Sequence, residues 1–115
     1  MIKLEKLTIK DILQNLDKKE FSCLDIIKSY INRIDELDKY NLVSEKVFDE
    51  ALVLAKKSDN KKKEDRLPLE GIPIAVKDIF CTKGHHTTAS SNILKSFVSP
   101  YESSLTNNLK KAGAI

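Results

Sequence analysis

Glycine is scarce in this chain: three residues in 115, at Gly71, Gly84 and Gly113, none clustered with another. No glycine-rich loop can therefore cradle a phosphate, and ATP chemistry by these residues is excluded. The same shortage leaves no Gly- and Ser-rich loop of the kind that presents a nucleophilic serine. Cysteine is nearly as rare, with Cys23 in a helix-like stretch and Cys81 just past an apolar run. Two cysteines without a secretory leader read as reduced core residues and not as a disulfide. Long apolar runs are missing as well: none approaches the roughly 20 residues that span a bilayer. The opening Met1-Ile2-Lys3-Leu4-Glu5-Lys6 is followed by no apolar leader core, so the expected location is cytoplasmic, with no membrane contact. What remains is ordinary for a soluble domain, 41% hydrophobic and 32% charged, in one domain's worth of chain or a piece of a larger one.

Charge of one sign is scarce except in one place. The net charge is +3, and Lys56 to Arg66 alone holds six basic and three acidic residues, so the rest balances to zero. A nucleic-acid-binding domain would spread its cations along a face. Lys61-Lys62-Lys63 could reach a tRNA phosphate in a larger assembly, but a solvated linker is the plainer expectation.

The pattern divides the chain into a helical region over 1–57, a charged linker over 58–66, and a mixed α/β region over 67–115. Thr8 with Asp11, then Ser22 with Asp25, are spaced as capping boxes. Ile9, Ile12, Leu13 and Leu16 follow the first, and Leu24, Ile27, Ile31 and Ile34 the second, at helical intervals. A third helix is predicted from about Glu45 to Lys57, burying Val47, Phe48, Ala51, Leu52 and Ala55. Ile72–Val76 reads as a short buried strand opened by Gly71. Ser103 can cap a last helix carrying Leu105, Leu109 and Ala112, stopped by Gly113, with Ala114-Ile115 starting a second strand. Strand, crossover helix, strand is the unit of a parallel sheet. One strand and a stub make no stable sheet, so marginal stability is expected of the chain alone, with little structure past Leu67.

Lys77 closes the apolar run Gly71-Ile-Pro-Ile-Ala-Val-Lys77-Asp78. A buried ammonium must find a counter-charge or lose its proton, and a neutral lysine is a competent base. The plain alternative is a lysine with its stem on the core and its head in water. Asp78 suits pairing or turn capping, and Thr87-Thr88-Ala89-Ser90-Ser91 suits a hydroxyl-rich turn. His85-His86 does not make a metal site: adjacent histidines in an extended chain point apart, and no second ligand pair stands at zinc spacing.

Gly71 to Asp78, Thr82-Lys83-Gly84 and Thr87-Thr88-Ala89-Ser90 together resemble the amidase signature family in order and spacing. Ser22-Cys23-Leu24-Asp25 with Tyr30 to Ile34, and Pro100-Tyr101-Glu102-Ser103-Ser104 with Leu109 to Ala114, extend the resemblance over most of the chain. Asn41-Leu42-Val43 departs from the family's usual Asn-Ala-Phe at that place. The resemblance implies an α/β fold, with N-terminal helices followed by the first strand–helix unit of a mixed, mainly parallel amidase-signature sheet, here truncated. It implies that Lys77 is the base of a Ser–cis-Ser–Lys triad whose serines lie beyond Ile115, so that these residues alone are inactive. The stretches Asp78–Gly84 and Pro100–Ser103 are most similar to those of glutaminase subunits in tRNA-dependent amidotransferases. That likeness implies glutamine as substrate, two other subunits in a heterotrimer, and tRNA met only indirectly. ATP and Mg are then expected at a partner subunit, with no cofactor and no metal in this chain. A stand-alone amidohydrolase of the same family, and a non-catalytic helical interaction module, remain the alternative readings.

Overall fold

The computed structural model describes residue 2 and residues 4–115. Its best-defined features are the capped amphipathic helices. Helices α1 (Ile9–Lys18) and α2 (Cys23–Glu36) both open on complete capping boxes. Thr8 and Ser22 accept the N–H groups of Asp11 and Asp25 at 3.2 and 3.0 Å, and each aspartate accepts the cap residue's own N–H at 2.9 Å. Such a cap contributes about 1 kcal/mol. Helix α3 covers Phe48–Asp59 and so starts later than predicted. Val47 stands at its N-cap with no side-chain hydrogen bond and is exposed, because an aliphatic side chain offers no acceptor. Helix α4 (Ser104–Lys111) is capped by Ser103 and stopped by Gly113, whose φ of +88° gives the left-handed turn that ends a helix.

The core is small. It joins Ile12 and Leu16 of α1, Cys23, Ile26 and Ile27 of α2, Ala55 of α3, and Ile72. Ile9, the first residue of the α1 stripe, is exposed, and on α2 the buried line is centred on Ile26 and Ile27, with Leu24 and Ile31 at its margin. Burying each isoleucine removes enough apolar surface to contribute about 2 kcal/mol. Ile72 ties the apolar run to the helices. This requires Gly71 to pass against α2 with φ +80°, so close that a Cβ there would lie 2.3 Å from Cys23 Sγ.

Polar side chains lock the helices to one another. The Asp59 carboxylate, at the end of α3, accepts the backbone N–H groups of Cys23 and Leu24 at 2.7 and 3.1 Å. These are first-turn donors of α2 that have no partner within the helix. The buried Glu70 carboxylate accepts from Ser58 Oγ, from Lys61 Nζ at 2.9 Å and from the Leu67 N–H at 3.3 Å. Lys63 and Arg66 reach Asp17 at 3.0 and 3.6 Å. Three cations of the basic stretch thus have carboxylate partners on the body of the molecule.

The expected strands are corrected by the structure. Among the described residues there is no strand, and Ile72–Val76 runs without regular secondary structure. Its pairing has begun nonetheless. Ile115 N–H donates to the Ile72 carbonyl at 2.9 Å, and Ile74 N–H donates to the Ile115 carbonyl at 2.7 Å. That alternation places Ile115 opposite Pro73 as the first rung pair of a parallel ladder. One rung is not a sheet. A single antiparallel bridge, His86 to Val98, is the other β contact.

Candidate functional site

Lys77 stands where the apolar run turns. Its carbonyl accepts the N–H groups of Ile79 at 2.7 Å and Phe80 at 3.0 Å, closing a tight turn directly after the core-bound Ile72–Ile74. The side chain is exposed. The described residues therefore do not supply the desolvation expected around Lys77. Val76, Ile79 and Phe80 beside it are also exposed.

Asp78 has a defined task. Its carboxylate accepts the Thr88 N–H at 2.7 Å and the Thr88 hydroxyl, while its carbonyl accepts the Ala89 N–H at 2.8 Å. These bonds from Thr88 hold the Asp78 carboxyl below its usual range. The clamp fixes a hydroxyl-bearing turn in which Ala89 and Ser90 take φ values of +48° and +57°. Two consecutive non-glycine residues in the left-handed region cost about 1–2 kcal/mol each, strain that persists only where the surroundings enforce it. Asp78 therefore holds in place a strained turn that would otherwise relax.

The two histidines sit in an acidic setting. His85 Nε2 lies 3.1 Å from Glu50 Oε2, and His86 Nδ1 lies 3.2 Å from Glu45 Oε1. The His86 N–H donates to Glu45 Oε2 at 3.0 Å, and His85 Nδ1 is 4.0 Å from the same carboxylate. Both rings thus meet Glu45 and do not point apart, because Gly84 at φ +83° and the His85 N–H bonded to the Thr82 carbonyl turn the chain there. Among the described residues no three His, Cys, Asp or Glu side chains are placed to hold a metal ion. Ser44, Glu45, Asp78, His86, Thr88 and Lys95 line a shallow cavity of about 220 Å³ over this contact.

The Pro100–Ser103 stretch is held to the turn after Lys77. The Cys81 carbonyl accepts the Ser103 N–H at 2.7 Å. Glu102 accepts from Lys110 and from Thr106 Oγ1, and these bonds hold its carboxyl below the usual range. The stretch 99–103 thus meets residues 81–85, whereas Cys23 and Leu24 of the second resembling stretch bond Asp59, away from this turn. Sequence reasoning did not find the Glu45–His86 and Asp59–Cys23 contacts, because no local spacing announces them.

No helix among the described residues is long and apolar enough to cross a membrane. The chain is 40% identical over its whole length to the glutamyl-tRNA(Gln) amidotransferase A-subunit of Rickettsia bellii, covering 24% of that protein. With the protein of the same name from Pelagibacter ubique it shares 41% identity, again covering all of this chain and 24% of the relative. It spans about a quarter of the length of these relatives. Among solved structures, an amidase family protein from Bacillus anthracis superposes with a TM-score of 0.87 at 26% identity, over 96% of this chain and 23% of that one. Residues 25–115 match the Amidase family. The chain belongs to the amidase family.

Proposed function

We propose that these residues form the front of the glutaminase subunit of a glutamyl-tRNA(Gln) amidotransferase, with Lys77 as the base of its Ser–cis-Ser–Lys triad. The observation that carries this is identity of 40–41% along the whole chain with proteins of that name. The turn at Lys77 supports it, since the lysine is held between a core-bound segment and the Asp78–Thr88 clamp. In this reading the remaining length seen in relatives covers Lys77, strips its water and so favours the neutral amine. Neutral Lys77 then takes a proton through the bridging serine, and the nucleophilic serine attacks the side-chain amide of glutamine. Ammonia leaves, water resolves the acyl-enzyme, and the roles match those of other serine acyl-transfer sites. The ammonia passes to a partner subunit where ATP and Mg activate the glutamyl group on tRNA, in a cytoplasmic heterotrimer. Residues 1–115 would supply the base and its positioning turn, and would be inactive without the two serines.

The test is glutaminase turnover in the complete enzyme. Lys77→Ala should lower kcat by orders of magnitude, and Lys77→Arg should not rescue it, because a guanidinium stays protonated. Near-normal turnover in Lys77→Ala would remove the assignment. A stand-alone amidohydrolase is the second reading, supported by the close superposition on an amidase family protein. Co-purification with two other subunits decides for the first, and a monomer that hydrolyses simple amides decides for the second.

A further inference from the structure

Among the described residues, the backbone that carries Lys77 is held by hydrogen bonds and not by packing, since Val76, Ile79 and Phe80 around it are exposed. The bonds at Lys77 itself are local, from the Ile79 and Phe80 N–H groups to its carbonyl. Asp78 reaches to a turn 10 residues on. Its two carboxylate oxygens are divided between the two donors of one residue: Oδ1 accepts the Thr88 N–H at 2.7 Å, and Oδ2 accepts the Thr88 hydroxyl. Thr88 in turn shapes the chain behind it with its two acceptors. Its Oγ1 takes the Ser90 N–H at 3.2 Å, and its carbonyl takes the Ser91 N–H at 2.8 Å. The Ala89 N–H closes the loop on the Asp78 carbonyl at 2.8 Å. Ala89 and Ser90 stand inside it in the left-handed region, at φ +48° and +57°, and neither is a glycine. Strain of that kind persists only where neighbours enforce it, and it gathers at the working parts of a molecule.

We infer that Asp78 and Thr88 are positioning residues that act as a pair on Lys77, with the strained Ala89–Ser90 turn as the part their bonds hold in place. Asp78 follows Lys77 directly, so a rotation at Asp78 swings the backbone from which the lysine side chain departs. Two acceptor oxygens are required at 78, because an amide would turn its NH2 toward one of the two Thr88 donors. Two donors are required at 88, and a threonine supplies them from one residue. Neither side chain touches the substrate in this arrangement; both act through where the Lys77 amine points. A catalytic group displaced by about 1 Å can lose about 100-fold in rate. The inference rests on the reading of Lys77 as the base, and it holds for glutamine and for a simple amide alike.

The experiment measures kcat and KM of the complete enzyme, with glutamine or a simple amide as the probe. Thr88→Val keeps the volume and the N–H bond but loses the hydroxyl. It should lower kcat about 10- to 100-fold and leave KM within about two-fold. Asp78→Asn should fall as far, whereas Thr88→Ser keeps both donors and should hold most of the native kcat. Glycine adopts the left-handed region without strain. Adding Ala89→Gly and Ser90→Gly to Thr88→Val should therefore restore most of the lost kcat, which it could not do for a residue that touches the reacting atoms. Full kcat in Thr88→Val and Asp78→Asn, a loss confined to KM, or no recovery with the two glycines would each overturn the inference. Circular dichroism checks every variant, and if Asp78→Asn does not fold, the milder Thr88→Val decides. Lys77→Ala measured in parallel separates the two claims. Turnover lost there but kept in Thr88→Val overturns the positioning role alone, and turnover kept in Lys77→Ala overturns both.

Discussion

Gly71 controls the junction between the helices and the run that ends at Lys77. Its φ of +80° is one that other residues adopt only with strain, and an added Cβ would meet Cys23 Sγ at 2.3 Å and Cys23 Cβ at 3.2 Å. The sulfur belongs to a fully buried side chain and cannot swing away. Gly71→Ala therefore meets about 1 kcal/mol of backbone strain and about 1–3 kcal/mol of overpacking. We expect urea denaturation to show a loss of about 2–4 kcal/mol, with circular dichroism of the remaining folded protein unchanged. A loss under about 1 kcal/mol would mean that α2 and the run separate easily. At this scale the sequence was a partial guide. Gly71 was legible as the start of an apolar run, but the cysteine it must clear was not. Lys77 was legible from its setting between Val76 and Asp78, whereas its exposure follows from what packs over it, which local pattern does not contain.

Among the elements, α2 shows both what was legible and what was not. Ser22 and Asp25 are three residues apart, so their mutual hydrogen bonds are written in local spacing, as they are for Thr8 with Asp11 and for the Ser103 cap. The second acceptor on the same helix end, Asp59, comes from the far end of α3, and no periodicity connects it to Cys23. Asp59→Ala should leave the N–H groups of Cys23 and Leu24 without their carboxylate, now 2.7 and 3.1 Å away. Hydrogen bonds to a charged group contribute about 1.5–3 kcal/mol, and this site is only part-buried, so about 1.5–2 kcal/mol is the expected loss. Asp59→Asn, which keeps an acceptor oxygen, should recover part of it. The late start of α3 has the opposite lesson: apolar spacing placed the helix, and the absence of a capping side chain at Val47 moved its boundary. The strand failed for a different reason. Ile72–Val76 has the composition of a strand, but a ladder is a property of two segments, and only Ile115 is present to pair with it.

Across the whole molecule, stability is concentrated in the helical half. Six of the seven core residues lie on α1, α2 and α3, and only Ile72 comes from the rest. Residues 76–105 instead expose Val76, Ile79, Phe80, Ile93, Val98 and Leu105, with Ile93 at 92%. That half is held by polar clamps, the carboxylates of Asp78 and Glu102, and Glu70 joins it to the helices. Burial pushes the Glu70 carboxyl up, but Lys61, Ser58 and the Leu67 N–H outweigh it and leave the group below its ordinary 4.5. Asp78 and Glu102 are lowered as well, from 3.8 and 4.5. A carboxyl whose folded value lies below its unfolded value stabilises the fold above the unfolded value. That contribution fades as pH falls from about 4.5 and is gone once the folded values are passed. Acid should accordingly release residues 76–103 before α1, α2 and α3, whose capping carboxylates Asp11 and Asp25 are lowered too but which also keep the apolar core. Native-state hydrogen exchange on the 115-residue chain is the measurement: protection at Thr88, Ala89 and Ser103 should be lower than at Ile26 and Ile27 at neutral pH, and should be lost first below about pH 4.5. The unfolding free energy for the whole chain should stay below about 5 kcal/mol. Uniform protection in both halves, lost in one step on acidification, would mean that the clamps and the core form a single cooperative unit. The turn bearing Lys77 would then be held by the helical core as well as by Asp78.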